Sequence, residues 1–559
     1  MAMVEAVVGT KRNSGSVPEH PGRSFRWEVA AVILIALLVR LPNLGHTPFV
    51  DELNHVLAAR SFVEDGEMRL PGGGGYGRAK LFTHAVAALF RIFGESLAVA
   101  RIPALLAGVA LVTALFLWLR RNAGVLAAWI GALLFCFYPE SIYLSQISRF
   151  YTLQALFLWI GATQIYRIAE DPENRETWLR AGAISVVSLL LAVHFQLLSL
   201  IGAGCVAVWA GAALAPWIGA KARTSPRPAF LFAALLAAAA LVLFLAWRSG
   251  RVAGLWDFYR NRADLWAAGS GDSRRFYHWI LLGLYPTIWP LFPFLAIFAL
   301  LRRPRPASFA VTVFVLVFLI QSGASWKAER YLFYAMPYFF GAVGIALSDL
   351  ISLTAGRWAE GIRSLAGRRS LPMPAGRIAT VLVAGALLIA ALWNDATPIA
   401  WKMLTEEDAR WNLPQIYRGE PDWVAAEPTV RPYLDEGAAL VASSALKALW
   451  AWGRIDYILS RDRLNDVGRK GPRKEMENWW KIARPVLSEV PSLERITAEH
   501  PLGIVVIEQG SWRKSWGVPP AVADWLDANL RPLPFAPEWR LHGFYWDHRA
   551  DRPSPAPRS

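Results

Sequence analysis

Asp51 and Glu52 stand side by side just beyond the first long apolar run, and His55 follows four residues after Asp51. On a helix starting there, Asp51 and His55 share a face. A carboxylate against apolar walls at a membrane boundary has its basicity raised by desolvation, which suits a general base that takes a proton from an attacking hydroxyl. An Asp in this position would serve equally as the N-cap of an interfacial helix. Cations accompany the pair. Arg78 and Lys80 follow Gly72-Gly73-Gly74-Gly75 and Tyr76, a flexible stretch able to wrap a phosphate or to touch lipid headgroups. Arg149 opens a later apolar helix in SQISRFYTLQ, and Lys327, Arg330, Tyr331 and Tyr334 open another in WKAERYLFYAMP. Lys327 with Tyr331, and Arg330 with Tyr334, are spaced i,i+4 and share a helix face.

Helix N-termini offer free N–H groups to an anion, and guanidinium matches phosphate oxygens bidentately. Snorkelling to a headgroup boundary accounts for one such Arg; two clusters on the side of Asp51 favour an anion site. His194 and Gln196 close another apolar helix on that side, where a packed histidine and a substrate contact are both open readings. Arg101, in VARIPALLAG, is placed to pair with Asp51 or Glu52 in a structural role. Asp51, Glu52 and His55 carry donor atoms for a divalent ion, but the chain has no H-x-x-x-H or C-x-x-C spacing, so no metal ligands are assigned and no cofactor is firmly implied.

The elements that must position these residues are membrane helices. The chain has 559 residues, is 55% hydrophobic with 27 Trp, and is only 18% charged. Apolar runs reach the roughly 20 residues that cross a bilayer. The expected fold is a polytopic α-helical membrane protein with about 11 transmembrane helices and a small C-terminal extracytoplasmic α/β domain. The spans are expected at roughly 27–45, 98–119, 124–139, 150–167, 181–196, 198–218, 229–247, 279–301, 307–322, 332–350 and 378–394. The first lacks an A-x-A cleavage site and reads as an anchor. Lys and Arg concentrate before the first span and in alternate loops, which places the N-terminus in the cytoplasm and the C-terminal segment outside. The loop 248–278 departs from this pattern, with six arginines on the expected outer side. The net charge of +15 therefore fits cytoplasmic loops facing anionic lipid, not nucleic acid. Cys136 and Cys205 fall inside expected spans and read as small apolar filler.

Residues 1–25 and the Pro- and Ser-rich tail 550–559 read as disordered. Residues 26–394 form the membrane domain, with a first outer loop over 46–97 that contains an amphipathic interfacial helix from Leu81 to Phe93. Residues 395–435 read as a linker. Over 436–549, AALVASS, DYILS, GIVVIEQ and RLHGFYWDH read as strands. ALKALWAWGR, KEMENWWKIARPVLSEV and PAVADWLDANL read as helices, which together predict a partly parallel sheet.

The segment LPNLGHTPFVDELNH resembles the first outer loop of the GT-C glycosyltransferases of the protein O-mannosyltransferase and lipid A aminoarabinose-transferase superfamily, which place an Asp-Glu pair there. GYGRAKLFTHAVAALFRIFGESLAVARIPALLAG, SRFYTLQALF and ERYLFYAMP are similar to later segments of the same group. The chain departs from it at Ala79-Lys80, where relatives often carry a Pro-type residue. The resemblance implies a polyprenyl-phosphate sugar donor and transfer to a hydroxyl on the outer face of a bacterial-type inner membrane. It also implies inversion by direct displacement, without nucleotide or covalent intermediate. Carried onto this chain, it implies that Asp51 is the base and that Glu52 orients the base or acceptor. Arg149, Lys327 and Arg330, with Lys80, would stabilise the departing phosphate, and an apolar groove would hold the isoprenoid tail. Arg78 joins the phosphate-binding set, and His55, Tyr76, His194 and Tyr331 are the substrate-binding candidates. Two other readings compete. A transporter or flippase of a lipid-linked sugar would need broken helices and polar residues near mid-membrane. A non-catalytic scaffold leaves the arrangement of Asp51, Arg149 and Arg330 unexplained.

Overall fold

The structure, a computed structural model, describes residues 23–223, 244, 248, 274–324, 327–365, 385, 394–405, 420–467 and 475–549. Nearly all of the spans expected at 229–247 and 378–394, residues 1–22 and 550–559, and most of the loop 248–278 lie outside those residues.

The first apolar run forms α1, Arg23–Arg40. Its last residue, Arg40, is fully buried and donates to Ser141 Oγ at 2.7 Å, Ser145 Oγ at 3.1 Å and the Ala36 carbonyl at 3.2 Å. The loop 46–97 then builds two helices, α2 (Leu53–Asp65) and α3 (Lys80–Phe93), which pack on each other. Helix α3 buries Phe82, Val86, Ala87 and Phe90 and exposes Leu81, Ile92 and Phe93, the two-faced character expected of an interfacial helix. Ser96 caps α4 (Leu97–Asn122), its Oγ accepting from the Val99 N–H at 3.2 Å.

Among the described residues, five helices are long and apolar enough to cross a membrane: Leu97–Asn122, Arg175–Phe195, Ser199–Lys221, Pro304–Gly323 and Phe333–Thr354; two bent pairs raise the number to seven. Two of the eleven expected spans fall almost wholly outside the described residues, so the count of eleven is not confirmed. The run 124–139 is not one straight span. It divides into α5 (Val125–Cys136) and α6 (Pro139–Ser145), bent by 64°. The run 279–301 likewise divides into Phe276–Leu284 and Ile288–Arg302, bent by 96°. Proline causes both breaks. Pro139 and Pro286 lack an N–H to donate and push the preceding residue out of the α region, and Tyr138 is accordingly extended at φ −65°, ψ 120°. Helices Arg23–Arg40 and Tyr151–Glu170 (α7) occupy two further expected positions but carry more polar residues. Helices α8 (Arg175–Phe195) and α9 (Ser199–Ala222) follow. The core is tightened by small residues. A Cβ at Gly344 would stand 2.8 Å from the Ala127 carbonyl oxygen, so α5 and the helix Met336–Leu365 touch backbone to backbone.

The C-terminal segment forms a seven-stranded sheet of order β3-β4-β2-β1-β5-β7-β6. Strands β1 (Ala439–Ala442), β2 (Tyr457–Leu459), β4 (Arg484–Leu487) and β5 (Leu502–Glu508) run parallel. Strands β3 (Glu477–Trp479), β6 (Arg531–Pro532) and β7 (Leu541–Asp547) are antiparallel to their neighbours. The expected helix in KEMENWWKIARPVLSEV is instead the β3–β4 hairpin. Inside a helix Pro485 would remove a hydrogen bond and crowd the preceding turn, and the chain instead turns where Ile482 and Ala483 both donate to the Trp479 carbonyl, with Ala483 at φ 53°. Glu427–Asp435, inside the expected linker, is a helix packed against β5.

This domain docks on the first loop of the membrane domain. Helix α2 packs on the helix Ala445–Trp452, and the Arg60 guanidinium lies 5.3 Å from the Trp450 ring centre. The Gly72 N–H donates to the Lys481 carbonyl at 2.8 Å.

Candidate active site

The loop after α1 delivers Asp51 to the end of the bundle on which the C-terminal domain sits. Its side chain is 39% exposed. Two guanidinium groups face the same carboxylate oxygen: Arg149 Nη2 at 3.8 Å and Arg330 Nη2 at 3.9 Å. Both separations are too long for hydrogen bonds, so the cations face the carboxylate without spending their donors on it. Arg149 is only 2% exposed. It is held by the Asp51 carbonyl at 3.0 Å, by the Tyr151 hydroxyl at 3.4 Å and by the ring faces of Phe150 and Tyr151. Arg330 lies against the rings of Tyr331 and Phe49. The Nε groups of both arginines are buried without a hydrogen-bond partner among the described residues. Buried guanidinium donors left unmatched are costly unless an anion takes them up.

Glu52, by contrast, is saturated. It is fully buried and takes Arg101 bidentately, Nη2 at 2.5 Å and Nε at 3.0 Å. The N–H groups of Ser148 (2.6 Å) and Phe49 (2.9 Å) complete its shell. Of the two partners open for Arg101, the structure selects Glu52. A carboxylate so engaged is not available to hold an acceptor; it fixes the backbone at Ser148, next to Arg149, and hence the distance from Arg149 to Asp51.

His55 is fully buried, with Nδ1 2.9 Å from Thr83 Oγ1 and Nε2 3.1 Å from the Tyr76 hydroxyl. Burial, then the fields of Arg149 and Arg78, push its pKa well below 6.5, so it is neutral near pH 7. His55 thus ties α2, α3 and the glycine loop together beneath Asp51. Arg78 stacks on Phe150 at 5.1 Å and reaches Gln196 Oε1 at 3.5 Å, while His194 Nε2 accepts the Leu81 N–H at 3.3 Å. The end of α8 therefore anchors the start of α3. Tyr331 is buried beneath Arg330.

Lys327 and Lys80 are placed differently. Lys327 donates to the Ala324 carbonyl. Lys80 lines a hollow of about 580 Å³ with Glu67, Arg69, Tyr76 and His84. Over 329–335 the chain forms two short 3₁₀ turns before the helix begins at Met336, so Lys327 with Tyr331 and Arg330 with Tyr334 do not share the face of one α-helix; Tyr334 accepts from Gln321. No group of three His, Cys, Asp or Glu able to hold a metal ion occurs among the described residues. Asp51, Glu52 and His55 do not converge as ligands, because Glu52 is committed to Arg101 and His55 to Thr83 and Tyr76.

Desolvation was expected to raise the basicity of Asp51. It does push in that direction, but Arg149, Arg330, Lys481 and Arg78 together outweigh it and hold the carboxyl below its ordinary 3.8. Lys481 was not singled out from sequence. It lies in the β3–β4 hairpin, and only the docking of two domains brings it to the site. Arg40 was missed as well; its one signal was a charge at the end of an apolar run.

The whole chain can be placed beside solved structures. ArnT from Cupriavidus metallidurans in the apo state is similar to it over 95% of this chain and 99% of that one, with a TM-score of 0.59 at 15% identity. The same enzyme bound to undecaprenyl phosphate gives 0.54 at 14% identity over 93% and 98%. The archaeal oligosaccharyltransferase AglB from Archaeoglobus fulgidus, in complex with an inhibitory peptide and a dolichol-phosphate, gives 0.53 at 13% identity over 87% and 70%. No family model and no curated protein matches the sequence.

Proposed function

From a fold shared with the GT-C membrane glycosyltransferases, we propose that this protein transfers a sugar from a polyprenyl-phosphate donor to a hydroxyl acceptor at the outer face of a bacterial-type inner membrane. The observation that carries the reading is the pair Arg149 and Arg330, with buried unpartnered Nε donors, flanking the half-buried carboxylate of Asp51. Undecaprenyl phosphate and dolichol-phosphate in the similar structures support the donor class.

The chemistry is a single displacement. The acceptor oxygen attacks the anomeric carbon, the bond from that carbon to the phosphate oxygen breaks, and the configuration inverts. The acceptor proton goes to Asp51, and the polyprenyl phosphate leaves with the electron pair. Arg149 and Arg330, supported by Arg78, meet the charge that grows on the leaving phosphate. Lys80, in the hollow beside Tyr76, and Lys327, held to the Ala324 carbonyl, are kept as donor-phosphate candidates. Glu52 acts through position, holding Ser148 and thereby Arg149. Tyr76, His194 and Tyr331 shape the loop and the floor around the sugar. An anionic phosphate set between the guanidinium groups also offsets their pull on Asp51, so the donor itself restores part of the basicity that the arginines suppress.

Among the described residues, the two Pro-broken helix pairs are a feature shared with transporters. The experiment supplies purified protein with a panel of radiolabelled polyprenyl-phosphate sugars and membrane extract, for the wild type and Asp51→Asn. Transfer from one donor that is lost in the mutant is the expected result. Full transfer by the mutant would remove Asp51 as base. Movement of intact donor across vesicles without transfer would favour the transporter.

A further inference from the structure

The glycine run is not a slack loop. It is the tip of a tight hairpin. The Leu70 and Tyr76 N–H groups donate to the Gly74 and Met68 carbonyls, each at 2.8 Å, and Arg69 pairs with Gly75 in an antiparallel bridge. Pro71 and Gly72 form the turn, which the Gly73 N–H closes on the Leu70 carbonyl at 2.8 Å, and Gly73 follows in the left-handed region at φ 80°. The C-terminal domain grips this turn. The Gly72 N–H donates to the Lys481 carbonyl at 2.8 Å, and a Cβ on Gly72 would stand 2.6 Å from the Trp480 carbonyl oxygen and 2.8 Å from the amide nitrogens of Ile482 and Ala483. Real Cβ atoms do not approach backbone so closely, so only glycine permits this seat. Beside it the Trp480 ring lies over Gly74, where a Cβ would meet its Cε3 at 3.5 Å, although Trp480 itself is 53% exposed.

The far arm of the gripped hairpin runs into the active site. The Tyr76 hydroxyl meets His55 Nε2 at 3.1 Å, and two residues later the Arg78 guanidinium lies 5.1 Å from the Phe150 ring centre. Arg149 lies against the same ring at 5.0 Å and faces Asp51 at 3.8 Å. Among the described residues, the Arg78 side chain is held by that ring and by a 3.5 Å contact with Gln196, too long for a strong hydrogen bond, so its place depends on its backbone. We infer that Gly72 and Trp480 are positioning residues: through them the β3–β4 hairpin of the sheet domain clamps the glycine hairpin and sets Arg78 on Phe150, beside Arg149. The inference rests on the polyprenyl-phosphate reading above. The sheet domain thereby acts on the reaction through the geometry of the membrane domain's own cations.

The test uses full-length protein in detergent and combines kcat, with the polyprenyl-phosphate sugar that the wild type accepts, with hydrogen exchange over residues 68–78. Gly72→Val is expected to speed exchange there and to lower kcat about 10–10²-fold, the scale of a catalytic group displaced by about an ångström. Trp480→Ala leaves the Gly72 seat intact and should move both readouts less, in the same direction. Trp480→Phe keeps a ring over Gly74 and should restore most of kcat. Because Gly72 acts through Arg78, Gly72→Val combined with Arg78→Gln should be no slower than the slower single variant. Losses that multiply in the double variant would mean general damage and overturn the inference, as would unchanged exchange in Gly72→Val. Faster exchange with wild-type kcat overturns the inference alone. No transfer by the wild type from any donor overturns it together with the donor reading.

Discussion

At the scale of the residue, the site is defined by a difference between two neighbouring carboxylates. Glu52 is buried with four donors around it, whereas Asp51 is only half-buried, with cations near but not bonded. Breaking a buried ion pair by removing one partner costs about 3–5 kcal/mol. Glu52→Gln should therefore lower the thermal midpoint and disorder Arg149, and in a double-mutant cycle Glu52→Leu with Arg101→Met should lose less than the two changes separately. Arg149→Gln and Arg330→Gln remove the charge that meets the leaving phosphate, and each should reduce kcat by about 10²–10³-fold with the fold retained. The pH profile separates free from loaded enzyme. The surrounding cations depress the pKa of Asp51, so in the free enzyme it is ionised above its ordinary 3.8, and the acid limb of kcat/KM should lie below that value. With the anionic donor bound, the cations are partly offset and the carboxyl rises, so the acid limb of kcat should lie at higher pH. Coincident limbs would remove the phosphate from between Asp51 and the arginines. Stability follows the same sign. Asp51 and His55 both have folded-state pKa values below their ordinary ones, so each contributes stability present above the ordinary pKa and lost as pH falls toward the folded one. For His55 that loss begins below about 6.5.

At the scale of the element, three segments carry Asp51 and its arginines: the loop after α1, the stretch before α7 and the 3₁₀ turns before Met336. The amphipathic run 81–93 announced α3 because its apolar residues recur on one face. The run 124–139 was marked only by its shortness for a span, and the break in 279–301 did not announce itself, since the composition is largely apolar and hydropathy averages over the prolines. The hairpin at 477–487 was concealed because aromatic and charged residues alternate there without helical or strand period. Close approach gives a test at this scale. Gly344→Leu would force α5 from the helix Met336–Leu365 and should destabilise the bundle by about 1–3 kcal/mol, read as a lower thermal midpoint in detergent.

At the scale of the whole molecule, the membrane domain and the sheet domain meet over the glycine loop, and the orientation proposed for them is directly testable. Cys136 and Cys205 are both buried, so they leave a low background for thiol labelling. Ala498→Cys, on the exposed surface of the sheet domain, should react with a membrane-impermeant maleimide in intact cells; reaction only after permeabilisation would reverse the orientation. Much of this molecule was already decided by sequence. Apolar length and the pairing of carboxylate with cations are local and additive, so they showed a membrane protein and drew attention to Asp51, Arg149 and Arg330 before any coordinates. The different fates of Asp51 and Glu52, the turning of Lys327 toward Ala324 and the arrival of Lys481 were decided only by tertiary structure. Adjacent residues in sequence have nearly equal neighbours on the chain, and burial, saturation and field are set by groups that arrive from elsewhere in the fold.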